Sequence, residues 1–301
     1  MKTEPVHYVI LERRGVLAVD GADSRTFLQG LVSNDVRRIA ADRAIYAALL
    51  TPQGKYLHDF FMVAQDASIL IDCEAERLAD LQRRLGIFKL RSDVTLTDRS
   101  AALTVAALFG GDVPGALGLA PEPGSATAFH DGVAYMDPRL AIAGARAVLP
   151  SADAAAVLES AGFAPADAQA YDRHRIHLGL ADGSRDLIPD KSILLENGFD
   201  ELNGVDWEKG CYMGQELTAR TKYRGLVRKR LVPVAVAGPL PAAGTPVLLE
   251  DKEVGDIRSG VDAMALAFLR IEALEQAGAG GTLTAGEAIL TPRIAPWAAD
   301  G

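Results

Sequence analysis

Apolar and polar positions alternate along the chain with two periods, and the change of period marks out the elements. Residues 15–19 form an apolar run that predicts a strand. Gly21-Ala22-Asp23-Ser24 stops it and offers Asp23 or Ser24 as a helix N-cap. In the helix that follows, Phe27, Leu28, Leu31 and Val32 fall on one face. Residues 44–50 and 55–64 read as the two strands of a hairpin. Thr51-Pro52-Gln53-Gly54 joins them, with proline second and glycine fourth, as a type I turn prefers. Residues 69–72 predict a short strand. Residues 74–85 predict an amphipathic helix with Leu78, Leu81 and Leu85 at helical spacing. Further strands are expected at 94–96, 103–109, 133–136 and 145–149. Further helices are expected at 151–161, capped by Ser151, and at 167–178.

The stretch 181–206 is rich in Asp, Gly, Asn and Pro and reads as a long loop, a feature that often carries function. Beyond Gly225 the pattern changes. Residues 231–236, 247–249, 253–257, 264–271 and 287–290 are short strands separated by Gly and Pro turns, which predicts a small β-barrel. The expected class is α+β with a C-terminal β-barrel, divided at 1–228 and 229–301.

Composition narrows the choice. A chain of 301 residues with 49% apolar positions can bury two cores. No run approaches 18 apolar residues, so no membrane span is expected, and Met1-Lys2-Thr3-Glu4-Pro5 lacks the apolar core of a secretory signal. The net charge of −9 disfavours general nucleic-acid binding. Against it stands a basic run, Arg220, Lys222, Arg224, Arg228, Lys229 and Arg230, readable as a solvated linker or as a site for a small anionic ligand. The two cysteines, Cys73 and Cys211, exclude a disulfide framework and point to a reducing compartment. His174 and His177 share a helix face, but no patterned third ligand accompanies them. They are read as solvent-facing or hydrogen-bonded, and no metal site is expected.

The informative segment is Lys209-Gly210-Cys211-Tyr212-Met213-Gly214-Gln215-Glu216-Leu217-Thr218-Ala219-Arg220. Two glycines bracket a turn, and helix-forming residues follow. A cysteine before a helix start, with Lys209 nearby, sits in a field that favours thiolate. The same pattern also suits a buried structural cysteine in a tight turn.

This segment resembles the signature of YgfZ-type proteins, which are similar to the folate-binding T-protein (aminomethyltransferase) of glycine cleavage. Phe27-Leu28-Gln29-Gly30 with Ser33-Asn34-Asp35-Val36, Leu50 to Lys55, Leu85 to Arg91, Arg175-Ile176 with Gly179-Leu180, and Arg220 to Arg230 follow in the family's order. The resemblance implies a T-protein-like folate-binding region with a C-terminal barrel. It implies a tetrahydrofolate-binding protein that supports maturation of iron–sulfur enzymes, including those that modify tRNA, alongside scaffold or carrier proteins. Such a protein is expected in the cytoplasm, or in the mitochondrial matrix if eukaryotic. The alternative is a folate-dependent aminomethyltransferase or demethylase acting on a small amine.

Residue roles carry over by position. Asp59 stands where T-proteins carry the aspartate of one-carbon transfer, although His58 replaces the acid that often precedes it. Glu196 resembles the pterin-binding glutamate, since a carboxylate can accept two N–H bonds from an aminopyrimidine edge; an exposed loop acid is the plain reading. Tyr171 stands where some members place a folate-contacting aromatic, or else packs a helix face. Lys209, Cys211 and Arg220 complete the expected folate site, and Cys211 with Asp59 is the expected chemical pair. Asn203 replaces a glycine but tolerates left-handed geometry.

Overall fold

The computed structural model describes residues 4–298. Residues 1–3, part of the segment read above for a secretory signal, and residues 299–301 of the expected second domain lie outside the described residues. The chain forms two compact units. The first takes Met1–Gln53, Leu57–Ala168 and Leu202–Gln215; the second takes Gly54–Tyr56, Gln169–Glu201 and Glu216–Gly301. The break expected at 228/229 falls at the first barrel strand, Lys229–Ala237. The unit that holds the barrel also takes in most of the long loop.

Two sheets build the first unit. One has five strands in the order Ile45–Leu50, Tyr56–Gln65, Ser68–Glu74, Arg14–Asp20, Thr95–Asp98. Alternate positions of two of its strands share a face. Ile45, Ala47 and Leu49, and likewise Ile69, Ile71 and Cys73, face a core shared with Phe27, Leu28, Leu78, Leu81 and Leu85. The intervening Tyr46 and Asp72 point to the other face, as the two-residue period of a strand requires. The helix expected at 74–85 runs Leu78–Phe88 and buries Leu78, Leu81 and Leu85. The first helix is Ser24–Gln29 and stops at Gly30, yet Leu31 and Val32 beyond it remain buried.

The other sheet has six strands in the order Ala164–Pro165, His7–Ile10, Leu103–Phe109, Ala145–Pro150, Gly132–Met136, Ala126–Phe129. The helix expected from Ser151 begins at Ala154. Strand Ala145–Pro150 runs on to Pro150 and a turn closes from Asp153 N–H to the Pro150 carbonyl, which delays the start by three residues. The sheets meet across charges. Asp72 accepts from Arg14 and from Arg146, each at 2.6 Å. Burial alone would raise the Asp72 carboxyl, but the two guanidinium groups hold it below the usual range.

In the second unit six strands close a barrel in the order Lys229–Ala237, Met264–Arg270, Lys252–Val261, Pro246–Leu249, Leu283–Ala285, Ala288–Pro292. The pairing of Val234 with Pro292 shuts it. The helix Ile271–Gly278 and the strand Leu283–Ala285 were not expected from the sequence pattern; Gly280 and Gly281 lie between them. Arg175 of the helix Ala168–His177 is buried. It binds Asp186 at 2.8 Å and the Ser259 hydroxyl at 2.9 Å, tying the long loop to a barrel strand. Among the described residues no helix is long and apolar enough to cross a membrane.

Candidate functional site

The loop that carries Cys211 is pinned by its own lysine. Lys209 is 1% exposed, and its Nζ donates to the carbonyls of Gln29 (2.8 Å), Val32 (2.5 Å) and Asn34 (2.8 Å). The ammonium has three protons, and each has an acceptor. Burial pulls the Lys209 amine down to about 8, with Asp35 and Asp206 opposing the fall. All three ammonium protons of Lys209 are thus taken up by carbonyls of the segment 29–34.

The neighbouring groups close the same clamp. Ser33 Oγ donates to the Gly204 carbonyl at 2.6 Å, and Asn34 Nδ2 donates to the Asn203 and Tyr46 carbonyls at 2.7 and 2.8 Å. The Asp206 N–H donates to Ser33 O at 3.1 Å and the Met213 N–H to Gly30 O at 3.1 Å. The segment 27–36 is therefore the receptor for the segment 203–213. Asn203 takes the left-handed conformation expected of it, at φ 55°. Gly210 and Gly214 have φ of 51° and 82°, so the turn around Cys211 needs glycine for backbone reasons.

Cys211 itself is exposed. The helix Gln215–Tyr223 begins four residues later, so the thiol lies in the turn ahead of the helix and not at its first position. Cys73 is its opposite: buried in the core, with burial pushing its thiol up to about 12.

Asp59 is buried and accepts from the Tyr46 hydroxyl at 2.9 Å. Burial first, then the nearby Asp59 charge, raises the Tyr46 phenol well above its ordinary value. Tyr46 lies in the wall of a cavity of about 390 Å³, together with Asn34, Arg38, Arg43, Glu122 and Asn203; Asp59 does not line it. Arg38 reaches Asp206 at 3.2 Å, and Arg43 donates to the Pro123 carbonyl at 2.9 Å.

Tyr171, Glu196 and Arg220 belong to the second unit, whereas Asp59, Lys209 and Cys211 belong to the first. Tyr171 is half-buried on the helix Ala168–His177. Glu196 is half-buried. Desolvation raises its carboxyl, while backbone N–H bonds from Arg228 and Lys229 pull the other way. Arg220 is exposed and pairs with Glu216 one helical turn away at 2.7 Å. Much of the basic run is paired as well: Lys222 with Asp200, and Arg230 with Glu201 at 2.7 Å. Among the described residues no group of three or more His, Cys, Asp or Glu is placed to hold a metal ion.

Sequence reasoning singled out Cys211 and the loop around it. It did not single out the cavity residues Arg38, Arg43 and Tyr46, which carry no spacing signal, nor that segments 27–36 and 203–213 bind each other.

These features place the chain in a structural class. It superposes on the crystal structure of glycine cleavage system aminomethyltransferase T from Bartonella henselae with a TM-score of 0.74 at 16% identity, over 96% of this chain and 84% of that one. The fold is therefore that of the aminomethyltransferase, and residues 228–300 match the CAF17 C-terminal beta-barrel domain. Sequence relatives define the family. The chain is 32% identical to the mitochondrial iron-sulfur cluster assembly factor IBA57 of Mus musculus, covering 88% of this chain and 78% of that protein. It is 37% identical to the IBA57 homolog of Mycosarcoma maydis over 76% of this chain, an alignment that spans 58% of that relative's length. The chain belongs to the IBA57 family of iron–sulfur cluster assembly factors.

Proposed function

We propose that this protein serves iron–sulfur cluster assembly through Cys211, as an accessory factor that acts together with a scaffold or carrier protein. The observation that carries the reading is an exposed thiol on a loop fixed by three hydrogen bonds from a buried lysine. Thiolate is the ligand that iron–sulfur clusters take. Cys211 is the exposed one of the chain's two cysteines, so further cluster ligands come from a partner. The YgfZ-like octapeptide and the mitochondrial assembly factors among the relatives support the same task. The recipients are iron–sulfur enzymes, those that modify tRNA included. The work is done where such enzymes mature, in a bacterial cytoplasm or a mitochondrial matrix.

Tetrahydrofolate is the cofactor that the resemblance implies, and the cavity beside Tyr46 fits it in part. Its volume of about 390 Å³ lies in the range of small-ligand sites, and Arg38 and Arg43 suit the carboxylates of a glutamate tail. Independently of this cavity, which belongs to the first unit, the resemblance assigns Glu196 and Tyr171 to the pterin and ring system. Folate, when bound, supplies one-carbon carrier chemistry. The amine transferase reading finds less support, because Asp59 is buried behind its bond to Tyr46 and is no part of the cavity wall.

Two measurements test these readings separately. In a strain whose own copy is deleted, expression of this chain restores the activity of a [4Fe–4S] enzyme; no restoration would refute the assembly role. Calorimetric titration with tetrahydrofolate shows binding that Glu196→Ala weakens by about 1–3 kcal/mol. Absence of binding to the unaltered protein would remove folate from the account and leave the thiol role standing.

A further inference from the structure

The helix Leu78–Phe88 turns its inward row, Leu78, Leu81 and Leu85, to the core. Its last turn does the reverse. Ile87 is 60% exposed, Phe88 42% and Leu90 90%. A single exposed apolar side chain is ordinary, but three large ones within four residues form a patch that calls for a partner. The turn is built, with Ser92 N–H closing on the Lys89 carbonyl at 2.8 Å. Leu90 sits at φ 42°, a left-handed conformation that a bulky residue rarely adopts, and it holds the side chain outward.

The charges around the patch have one sign to spare. Arg83 and Arg84 share Asp80, whereas Lys89 and Arg91 have no ion-pair partner among the described residues. They stand as a basic rim on a chain of net charge −9. The patch is also tied to the Cys211 loop. Asp93, three residues after Leu90, exchanges hydrogen bonds with Asp23: its N–H donates to Oδ2 at 2.8 Å, and its carbonyl accepts from the Asp23 N–H at 3.2 Å. Asp23 opens the helix Ser24–Gln29, and Gly30 at the far end of that helix receives the Met213 N–H. Six helical residues span roughly 9 Å. Turn and thiol loop thus hang on the two ends of one short helix, within the reach of an interface of standard size, about 800 Å² a side.

We propose that Ile87, Phe88 and Leu90, with Lys89 and Arg91, form the docking site for the iron–sulfur scaffold or carrier protein on which Cys211 acts, through an apolar groove on that partner rimmed by carboxylates. The proposal rests on the assembly reading above. Charge complementarity names the occupant: Lys89 and Arg91 form a basic rim that matches carboxylates bordering an apolar groove on a protein. The need of Cys211 for ligands from a second protein points the same way.

The test uses the full chain and each iron–sulfur scaffold and carrier protein of the source species, purified singly. Two double variants, Ile87→Ser with Leu90→Ser and Lys89→Glu with Arg91→Glu, change side chains that are exposed or, for Lys89, half-buried, so their unfolding midpoints stay near that of the parent. The parent chain binds at least one of these proteins. The serine pair weakens that binding roughly tenfold or more. The glutamate pair slows association most at low salt. Cys211→Ser binds as the parent does yet fails to restore enzyme activity, which separates docking from thiol chemistry. The proposal is overturned if no scaffold or carrier binds, or if both double variants bind like the parent. It is equally overturned if the patch instead governs sedimentation with phosphatidylcholine–phosphatidylglycerol vesicles.

Discussion

Cys211 and Cys73 carry the same side chain into opposite surroundings. Cys73 lies in the core, its thiol pushed up to about 12 by burial, and it donates to the Gly15 carbonyl at 3.8 Å. Cys211 is exposed between two left-handed glycines. Native protein treated with a thiol reagent therefore shows one fast-reacting thiol, which Cys211→Ser abolishes and Cys73→Ser leaves in place. Two thiols of equal rate would contradict the burial of Cys73. Lys209 is the residue whose role the sequence hid. A lysine beside a cysteine reads as a source of field, but its stem is long enough to carry the charge away to Gln29, Val32 and Asn34. Lys209→Met leaves three carbonyls without a donor and should cost about 2–4 kcal/mol in urea unfolding. A loss within about 0.5 kcal/mol would mean that water replaces the amine.

Between elements, one pair joins strand to helix. His58 of the strand Tyr56–Gln65 meets Asp80 of the helix Leu78–Phe88 at 3.0 Å. Burial first, then Arg77, holds the imidazole down to about 4, while Asp80 pulls it upward. Below an unfolded value near 6.5 the unfolded chain takes up a proton that the folded chain refuses. This contribution to stability is whole above pH 6.5 and is lost as pH falls toward 4. Between pH 7 and pH 5 the loss is about 2 kcal/mol. His58→Gln should flatten that slope; an unchanged slope would place the effect elsewhere. Most elements were legible because their apolar period was clean, as in the helix bearing Leu78, Leu81 and Leu85. Those that were not differ in cause. His7–Ile10 and Ala126–Phe129 are four-residue strands that no flanking pattern set apart, and the start at Ala154 was displaced by a turn after Pro150. The pairing of segments 27–36 and 203–213 is a contact across some 170 residues, which no local pattern encodes.

At the scale of the whole molecule, the aminomethyltransferase fold is kept while the seam between the two sheets of the first unit is charged. Arg146 lies over the Phe61 ring at 4.2 Å and binds Asp72 at 2.6 Å. Asp72→Asn strands Arg14 and Arg146 without their carboxylate and should cost about 3–5 kcal/mol, read from denaturant midpoints. Against that scaffold, family membership and an exposed, pinned thiol make Cys211 the centre of the account. The direct test compares three chains in a strain lacking its own copy: the parent, Cys73→Ser and Cys211→Ser, each at equal abundance, with [4Fe–4S] enzyme activity as the readout. The account predicts that the parent and Cys73→Ser restore activity and that Cys211→Ser does not. Full restoration by Cys211→Ser would contradict it.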